Sequence, residues 1–418
     1  MNKILKNITH CRICNSNKLL KVFSNKAMPI GESFVKNKSS DITQKKYLID
    51  VLLCKKCGLS QLSQVINPKI LYKNYLYHSK TSNDLFNHFY YFAEYLYSKF
   101  KIKKNELIID IGSNNGIFLN FLKKKGCKII GIEPSITHAE NANKNGIKTI
   151  NTFFNNQVVN FILKNNKKPK IITASNVIAN INDLNAVFKN IKKLLSVNGI
   201  FIFESFYLLD LIKNNVFDFI YHEHLSLFGI KPIQYLCNLH DLELFDVQNI
   251  KTKGGSLRFF IRNKNKNFFS QRMKKLIKQE RYNNIYKKNI FTKFRKKIDN
   301  EKRLFHNELK KANACNKNAR IIGFGASISC ITLIYDYEIE NKIEFLLDDN
   351  NLKHNLLSPG SNIKILNPNN FVFTKNDIVI FLAWRFQKFF IKKYKNLFIK
   401  NHYKIFQLLP KFKIIEKL

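Results

Sequence analysis

Four cysteines fall into two close pairs, Cys11-Arg12-Ile13-Cys14 and Cys54-Lys55-Lys56-Cys57. A C-x-x-C knuckle brings two thiolates to one ion, and two knuckles complete the tetrahedral shell in which zinc is held structurally. Cys11, Cys14, Cys54 and Cys57 are therefore the expected zinc ligands, and a shell with no open position suits structure and not catalysis. Cys127, Cys237, Cys315 and Cys330 stand alone in apolar surroundings and read as packing residues.

A second constellation lies at Asp110-Ile111-Gly112-Ser113-Asn114-Asn115-Gly116, between a buried strand pattern and a helix pattern, and about twenty residues later another strand pattern ends at Glu133. Glycine lets the backbone approach a ligand at the strand-to-helix turn, and an acidic side chain at the end of the second strand can hold ribose hydroxyls. A dinucleotide favours the fuller G-x-G-x-x-G set, with a helix N-terminus facing its pyrophosphate. Here Gly112 and Gly116 are separated by Ser and two Asn, which favours the adenosine and methionine portions of S-adenosylmethionine; a structural turn with a capping Asn is the alternative reading.

The third constellation is Tyr221-His222-Glu223-His224, just after the fifth strand pattern of the central region. Two imidazoles, a carboxylate and a phenol could bind a metal, but an extended segment puts His222 and His224 on one side and Glu223 on the other, and no third ligand is apparent nearby. Acid–base chemistry fits better. A histidine titrating near neutrality can take a proton from a carbon acid while a neighbouring Glu or Tyr orients it or holds the substrate oxygen. Histidines that merely cap a loop are the competing reading.

These residues need rigid elements to hold them. Leu107–Ile111, 128–133, 171–174 and 199–204 are short apolar runs alternating with helix patterns, the texture of a doubly wound α/β sheet. Leu85 to Ile102 has an aromatic helix pattern that predicts packing on the next domain. Residues 263–318 read as charged connecting helices. The βα texture then resumes at Arg320–Ser327, Ile343–Asp349 and Asp377–Trp384, predicting a second, smaller α/β domain. The expected organisation is a zinc-binding domain at 1–80, a cofactor-binding domain at 81–262, and connecting helices with a Rossmann-like domain at 263–418. A chain of 418 residues with 45% hydrophobic and 13% aromatic content has ample material for several cores.

The formal net charge of +42 suggests polyanions. The lysines are spread along the whole chain beside abundant Asn and Ile, however, and no docking motif accompanies them, so no nucleic-acid partner is expected. The longest uncharged stretch, Ile321–Tyr335, contains Gly and Ser and is shorter than the roughly 18–20 apolar residues a membrane span requires. Met1–Asn7 carries no apolar signal core ahead of Cys11, which predicts a cytoplasmic chain.

Taken in order, the motifs resemble the nucleotide-sugar C-methyltransferase family over nearly the whole chain. Met28-Pro29-Ile30-Gly31-Glu32-Ser33-Phe34 and Cys57-Gly58-Leu59-Ser60-Gln61-Leu62 resemble its zinc-binding domain, and Tyr75 to Ser82 resembles the segment leading into its cofactor site. Residues 111–116, 131–135 and 175–178 resemble its cofactor motifs, and Tyr221–His224 with Gly254–Arg258 its active-site signature. Gly323–Ser327 with Leu347-Asp348-Asp349 resembles its C-terminal Rossmann-like domain. The resemblance implies a class I methyltransferase-like sheet, S-adenosylmethionine, structural zinc, and C-methylation of a nucleoside-diphosphate 4-keto deoxysugar through an enolate. It implies cofactor contacts from Tyr77, Asp110, Gly112, Ser113, Asn114, Gly116, Glu133 and Asn176. It also implies catalysis by His224 with Tyr221 and Glu223, and substrate contacts from Tyr221, His222 and Arg258. Two positions depart from the family pattern: Asn180 replaces a histidine, which shifts proton transfer to His224, and Asn115 replaces an aspartate in the glycine loop. Two other functions remain open: a nicotinamide-dependent sugar-nucleotide oxidoreductase, and a zinc-containing binding protein that has lost catalysis.

Overall fold

The computed structural model describes residues 4–71, 83–264, 269–315, 319–374, 376–394 and 404–415. At the N-terminal end, Leu5–Asn7 (β1) pairs antiparallel with Gln64–Ile66 (β5), and Leu19–Met28 (β2), Tyr47–Cys54 (β3) and Ser60–Leu62 (β4) form an antiparallel sheet. β3 shows the two-residue period of a half-buried strand, with Ile49, Val51 and Leu53 buried while Leu48 faces out.

The central domain is built on seven strands: Leu107–Ile111 (β6), Lys128–Ile132 (β7), Thr149–Ile150 (β8), Ile171–Ser175 (β9), Ile200–Phe206 (β10), Leu242–Ile250 (β12) and Ser256–Asn263 (β13). Their order across the sheet is β12-β13-β10-β9-β6-β7-β8. β10, β9, β6, β7 and β8 are parallel, and β13 runs antiparallel to both its neighbours. This is the class I methyltransferase arrangement. β6 is buried along its whole length, which explains its unbroken apolar run, as expected of a parallel strand covered on both faces. The direction of winding reverses between β6 and β9, so a crevice opens at the carboxyl ends of β6, β7 and β9. The aromatic helix Asn83–Lys99 packs on the helix Ile117–Lys124 that follows β6, with Phe92 and Phe118 stacked at 5.1 Å.

The last domain holds Ile321–Phe324 (β14), Phe345–Leu347 (β15), Lys364–Leu366 (β16), Ile378–Phe381 (β17), Lys404–Gln407 (β18) and Lys413–Ile415 (β19), in the order β16-β15-β14-β17-β18-β19. All pairs are parallel except β18 with β19, which gives a Rossmann-like sheet with its own reversal between β14 and β17. The 28-residue helix Lys288–Cys315 connects the two larger domains and lies on β2 of the zinc-binding domain, where Phe294 stacks on Phe23 at 5.2 Å.

The three units do not hang as beads. Ser226–Leu227 (β11), from the central domain, adds to the N-terminal sheet beside β4, and one apolar core contains side chains from all three regions. Among the described residues no helix is long and apolar enough to cross a membrane.

Candidate active site

The four predicted zinc ligands converge. β2 and β3 carry Cys54 back beside the Cys11–Cys14 turn, so that Cys11 and Cys57 Sγ lie 3.4 Å apart, Cys14 and Cys54 Sγ lie 3.5 Å apart, and all four sulfurs fall within 4.8 Å of one another. Tetrahedral Zn–S bonds of about 2.3 Å need sulfurs about 3.8 Å apart, so this set fits one zinc ion.

The glycine turn expected to cradle the cofactor sits where the winding of the central sheet reverses. Gly112 leaves β6 with φ +70°, and a Cβ there would come within 2.3 Å of Val177 Cγ2; the turn therefore needs glycine for both conformation and space. Gly116, at φ +76°, starts the next helix, while Asn114 and Asn176 also adopt left-handed backbone. Glu133 accepts the backbone N–H of Asn114 at 2.9 Å and of Ser135 at 2.8 Å, bracing the glycine turn against the end of β7. Asp110 is buried and accepts the Thr173 hydroxyl at 2.7 Å; burial pushes its carboxyl up to about 7.

A cavity of about 860 Å³ runs from this cradle, past Tyr221, Glu223 and His224, to Ser327, Ile328, Trp384, Arg385 and Phe386 of the C-terminal domain. Its wall contains Asp110, Gly112, Ser113, Asn114, Glu133 and Asn176, together with Asn180. Side-chain oxygens of Ser113, Asn115 and Asn176 are buried there without a hydrogen-bond partner. These waiting acceptors stand beside two carboxylates, a set suited to a ligand rich in donors and positive charge. S-adenosylmethionine, with its ammonium, sulfonium, ribose hydroxyls and adenine amine, fits this set; the anionic pyrophosphate of a dinucleotide does not.

The expected two-sided display of Tyr221–His224 is not what the chain adopts. Phe217–Phe219 forms a tight 3-10 turn, and His224 N bonds back to Tyr221 O at 3.0 Å, so the segment is bent and side chains do not alternate. Tyr221, Glu223 and His224 consequently all line the cavity, whereas His222 turns away and packs edge-on to Tyr47 of the zinc-binding domain, with ring centroids 6.0 Å apart. The imidazole of His224 lies 4.1 Å from the Tyr221 ring and 4.6 Å from Phe206, and its Nδ1 is 2.6 Å from the carbonyl oxygen of Phe219. A carbonyl can only accept, so Nδ1 carries the hydrogen and the neutral ring presents Nε2 as the basic atom.

Arg258 is also placed differently from its expected turn. The turn ends at Gly255, and Ser256–Asn263 is β13, with Arg258 directly opposite Glu204 of β10. Its Nε donates to Glu204 at 3.2 Å and its guanidinium lies 3.8 Å over the Phe92 ring. Glu204 also meets His88 Nε2 at 3.0 Å and accepts the Thr252 hydroxyl at 3.0 Å. Burial alone would raise the Glu204 carboxyl, but these partners together hold it below the usual carboxylate range. Arg258 thus belongs to a buried network behind the cavity wall, and it is Lys251 and Thr252 of the preceding turn that line the cavity. Tyr77 lies outside the described residues.

Sequence reasoning missed Glu32, Trp384 and Arg385 as cavity residues. Glu32 reaches the cavity from the zinc-binding domain, 7% exposed, with Oε1 3.5 Å from Lys353 Nζ and Oε2 unpartnered. Trp384 and Arg385 follow β17 at the reversal of the second sheet, a position that could have marked them, and Trp384 is the only tryptophan in the chain. The C-terminal glycine turn is taken up by its own chain: Gly325 N donates to Leu347 O, Ala326 N to Asp348, and Lys353 Nζ to Ala326 O.

Three family models match successive parts of the chain. Residues 11–72 match a zinc binding domain family, 86–247 a methyltransferase domain family, and 251–410 a C-methyltransferase C-terminal domain family. The chain is also 25% identical to C-methyltransferase NovU of Streptomyces niveus, over 99% of each sequence. The three matches follow one another along residues 11–410 in the order zinc binding, methyltransferase and C-methyltransferase C-terminal domain. Among solved structures the chain is similar to the PH0226 protein of Pyrococcus horikoshii OT3, at 16% identity and TM-score 0.37, over 47% of this chain and 99% of that one. It is also similar to the plantazolicin methyltransferase BpumL, at 16% identity and TM-score 0.35, over 44% of this chain and 86% of that one. As a C-methyltransferase the chain uses S-adenosylmethionine, and its four-cysteine cluster is the fitting site for zinc.

Proposed function

We propose that this C-methyltransferase acts on a nucleoside-diphosphate 4-keto deoxysugar, alkylating the ring carbon beside the ketone. The observation that carries this reading is that one cavity joins an acceptor-lined cofactor cradle to an imidazole whose Nε2 is held as a base.

A ketone acidifies the neighbouring C–H bond, so a fixed base can remove that proton and leave an enolate whose carbon is the nucleophile. His224 is that base: Nε2 takes the proton, and the Phe219 carbonyl holds Nδ1–H while the ring becomes cationic. Tyr221 and Glu223, on the same wall, orient the sugar and hydrogen-bond its oxygens. Asn180 can donate an amide hydrogen bond to the enolate oxygen but cannot exchange a proton at neutral pH, which leaves proton transfer to His224. The bound S-adenosylmethionine supplies an electrophilic methyl group on a sulfonium. Holding the nucleophilic carbon in line with that methyl in an enclosed cavity supplies a large share of the rate. Lys251 offers a cation for the diphosphate, and His222 and Arg258, which do not line the cavity, act through packing.

A panel of 4-keto sugar nucleotides incubated with isotope-labelled S-adenosylmethionine tests the reading. Mass analysis should find methylated product, and the ring proton should exchange with deuterated solvent even when the methyl donor is omitted. His224→Gln should reduce both exchange and transfer by at least about 100-fold while S-adenosylhomocysteine still binds. Near-normal turnover by that variant would remove His224 as base. Tight binding of NAD with no transfer to any keto sugar would overturn the reading as a whole.

A further inference from the structure

We propose that Arg385 and Asp218 form a positioning clasp through which the C-terminal domain sets the tautomer and orientation of His224. The inference rests on the reading of His224 as the base and adds to it a part that the cofactor domain does not itself supply.

Asp218 is fully buried in the turn that precedes the active-site segment. Its carboxylate is answered by two consecutive residues of the other domain: Arg385 donates from Nη1 at 2.8 Å and from Nη2 at 3.0 Å, and the Trp384 indole donates at 3.1 Å. A two-pronged guanidinium–carboxylate pair fixes direction as well as distance, and removing Arg385 would strand a fully buried carboxylate. The guanidinium also lies 4.2 Å over the Phe219 ring.

Phe219 is the residue that holds the base. Its carbonyl oxygen binds His224 Nδ1, and its ring lies parallel to the imidazole, 5.7 Å away at 12°. The neighbouring carbonyls are held from a different direction, because Asn25 of the zinc-binding domain donates to Phe217 O at 3.3 Å and to Ile220 O at 3.0 Å. The turn is gripped from two domains, with the Phe219 carbonyl directed at the imidazole. Arg385 and Trp384 are also cavity residues, so the clasp borders the same space as His224.

Two-bond proton–nitrogen NMR of protein labelled with ¹⁵N-histidine tests the clasp without any substrate, with His224→Gln providing the assignment. The wild-type protein should show His224 as a single tautomer, protonated at Nδ1. Arg385→Gln and Asp218→Asn should move the two ring-nitrogen signals towards each other, as a tautomer mixture does, and Arg385→Lys should restore part of the separation. A cooperative thermal transition above the assay temperature and retained S-adenosylhomocysteine affinity identify the variants that remain folded, even where Tm is lowered. With an active keto sugar, kcat should fall by at least about 10-fold while KM for S-adenosylmethionine changes less than about twofold. Folded Arg385→Gln and Asp218→Asn proteins that keep the wild-type tautomer pattern would overturn the clasp. Near-normal turnover by His224→Gln would instead overturn the reading of the base, so the two failures are distinguishable.

Discussion

His222 and His224 are separated by one residue, yet the fold gives them opposite tasks. His224 faces the cavity with one nitrogen held by a carbonyl, whereas His222 is buried against Tyr47, and burial pushes its imidazole down to about 4. The unfolded chain binds a proton at this position from about pH 6.5 downwards, and the folded chain resists doing so until about pH 4. His222 therefore contributes stability above pH 6.5 that is lost as the pH falls towards 4, by roughly 2 kcal/mol between pH 7 and 5. His222→Leu should flatten the fall in Tm over that interval, measured by differential scanning fluorimetry; a variant whose Tm falls as steeply as the wild type would show that another group controls acid sensitivity. Which histidine faced which way was not legible in the sequence, because two-residue alternation holds only in an extended strand and residues 221–223 are a turn closed by the bond from His224 N to Tyr221 O. The cysteines were legible because a C-x-x-C knuckle is a local geometry that needs no knowledge of the rest of the chain. Arg258 was misplaced for want of a strand boundary: in a turn it would have been free to meet a diphosphate, but inside β13 it faces Glu204.

The short strand β11 begins two residues after His224 and is hydrogen-bonded to β4, which begins three residues after Cys57. Arg12, between the first two cysteines, reinforces this seam by donating to both Leu62 O and Leu225 O. Zinc, β4, β11 and the active-site segment are therefore connected through a few backbone bonds. Removing zinc should release one ion per chain, lower Tm and suppress methyl transfer, while S-adenosylhomocysteine affinity, which depends on β6, β7 and β9, stays within about a few fold of the wild type. Metal analysis, calorimetry and turnover before and after chelation read these three effects separately; a zinc-free protein with full turnover would break the proposed connection. The long parallel strands were readable as apolar runs because they are buried on both faces. β11 was not, since two residues carry no period, and its place is decided by tertiary pairing alone.

Across the whole molecule, the +42 formal charge is not what the cavity displays. Glu32, Asp110, Glu133 and Glu223 line it against Lys251 and Arg385, and Arg385 is already paired with Asp218. The excess lysines must therefore lie mainly elsewhere, and recognition in the cavity depends on placed hydrogen bonds more than on a general positive field. The cavity takes its cofactor end from the central domain, Glu32 from the zinc-binding domain and Trp384 to Phe386 from the C-terminal domain, so that full enclosure requires all three. This arrangement places the chain's single tryptophan in the cavity wall that the C-terminal domain supplies, its indole N–H bonded to Asp218. Emission excited selectively at the indole band should consequently report on the interdomain end of the cavity. Titration with UDP, dTDP or an active keto-sugar nucleotide should change the intensity or wavelength of that emission saturably, whereas S-adenosylhomocysteine alone should change it little. Trp384→Phe should abolish the signal while calorimetry still detects the nucleotide. Saturating nucleotide that binds by calorimetry and leaves Trp384 emission unchanged would place the substrate away from the C-terminal wall, and the cavity would then be shared by the three domains without the third taking part in recognition.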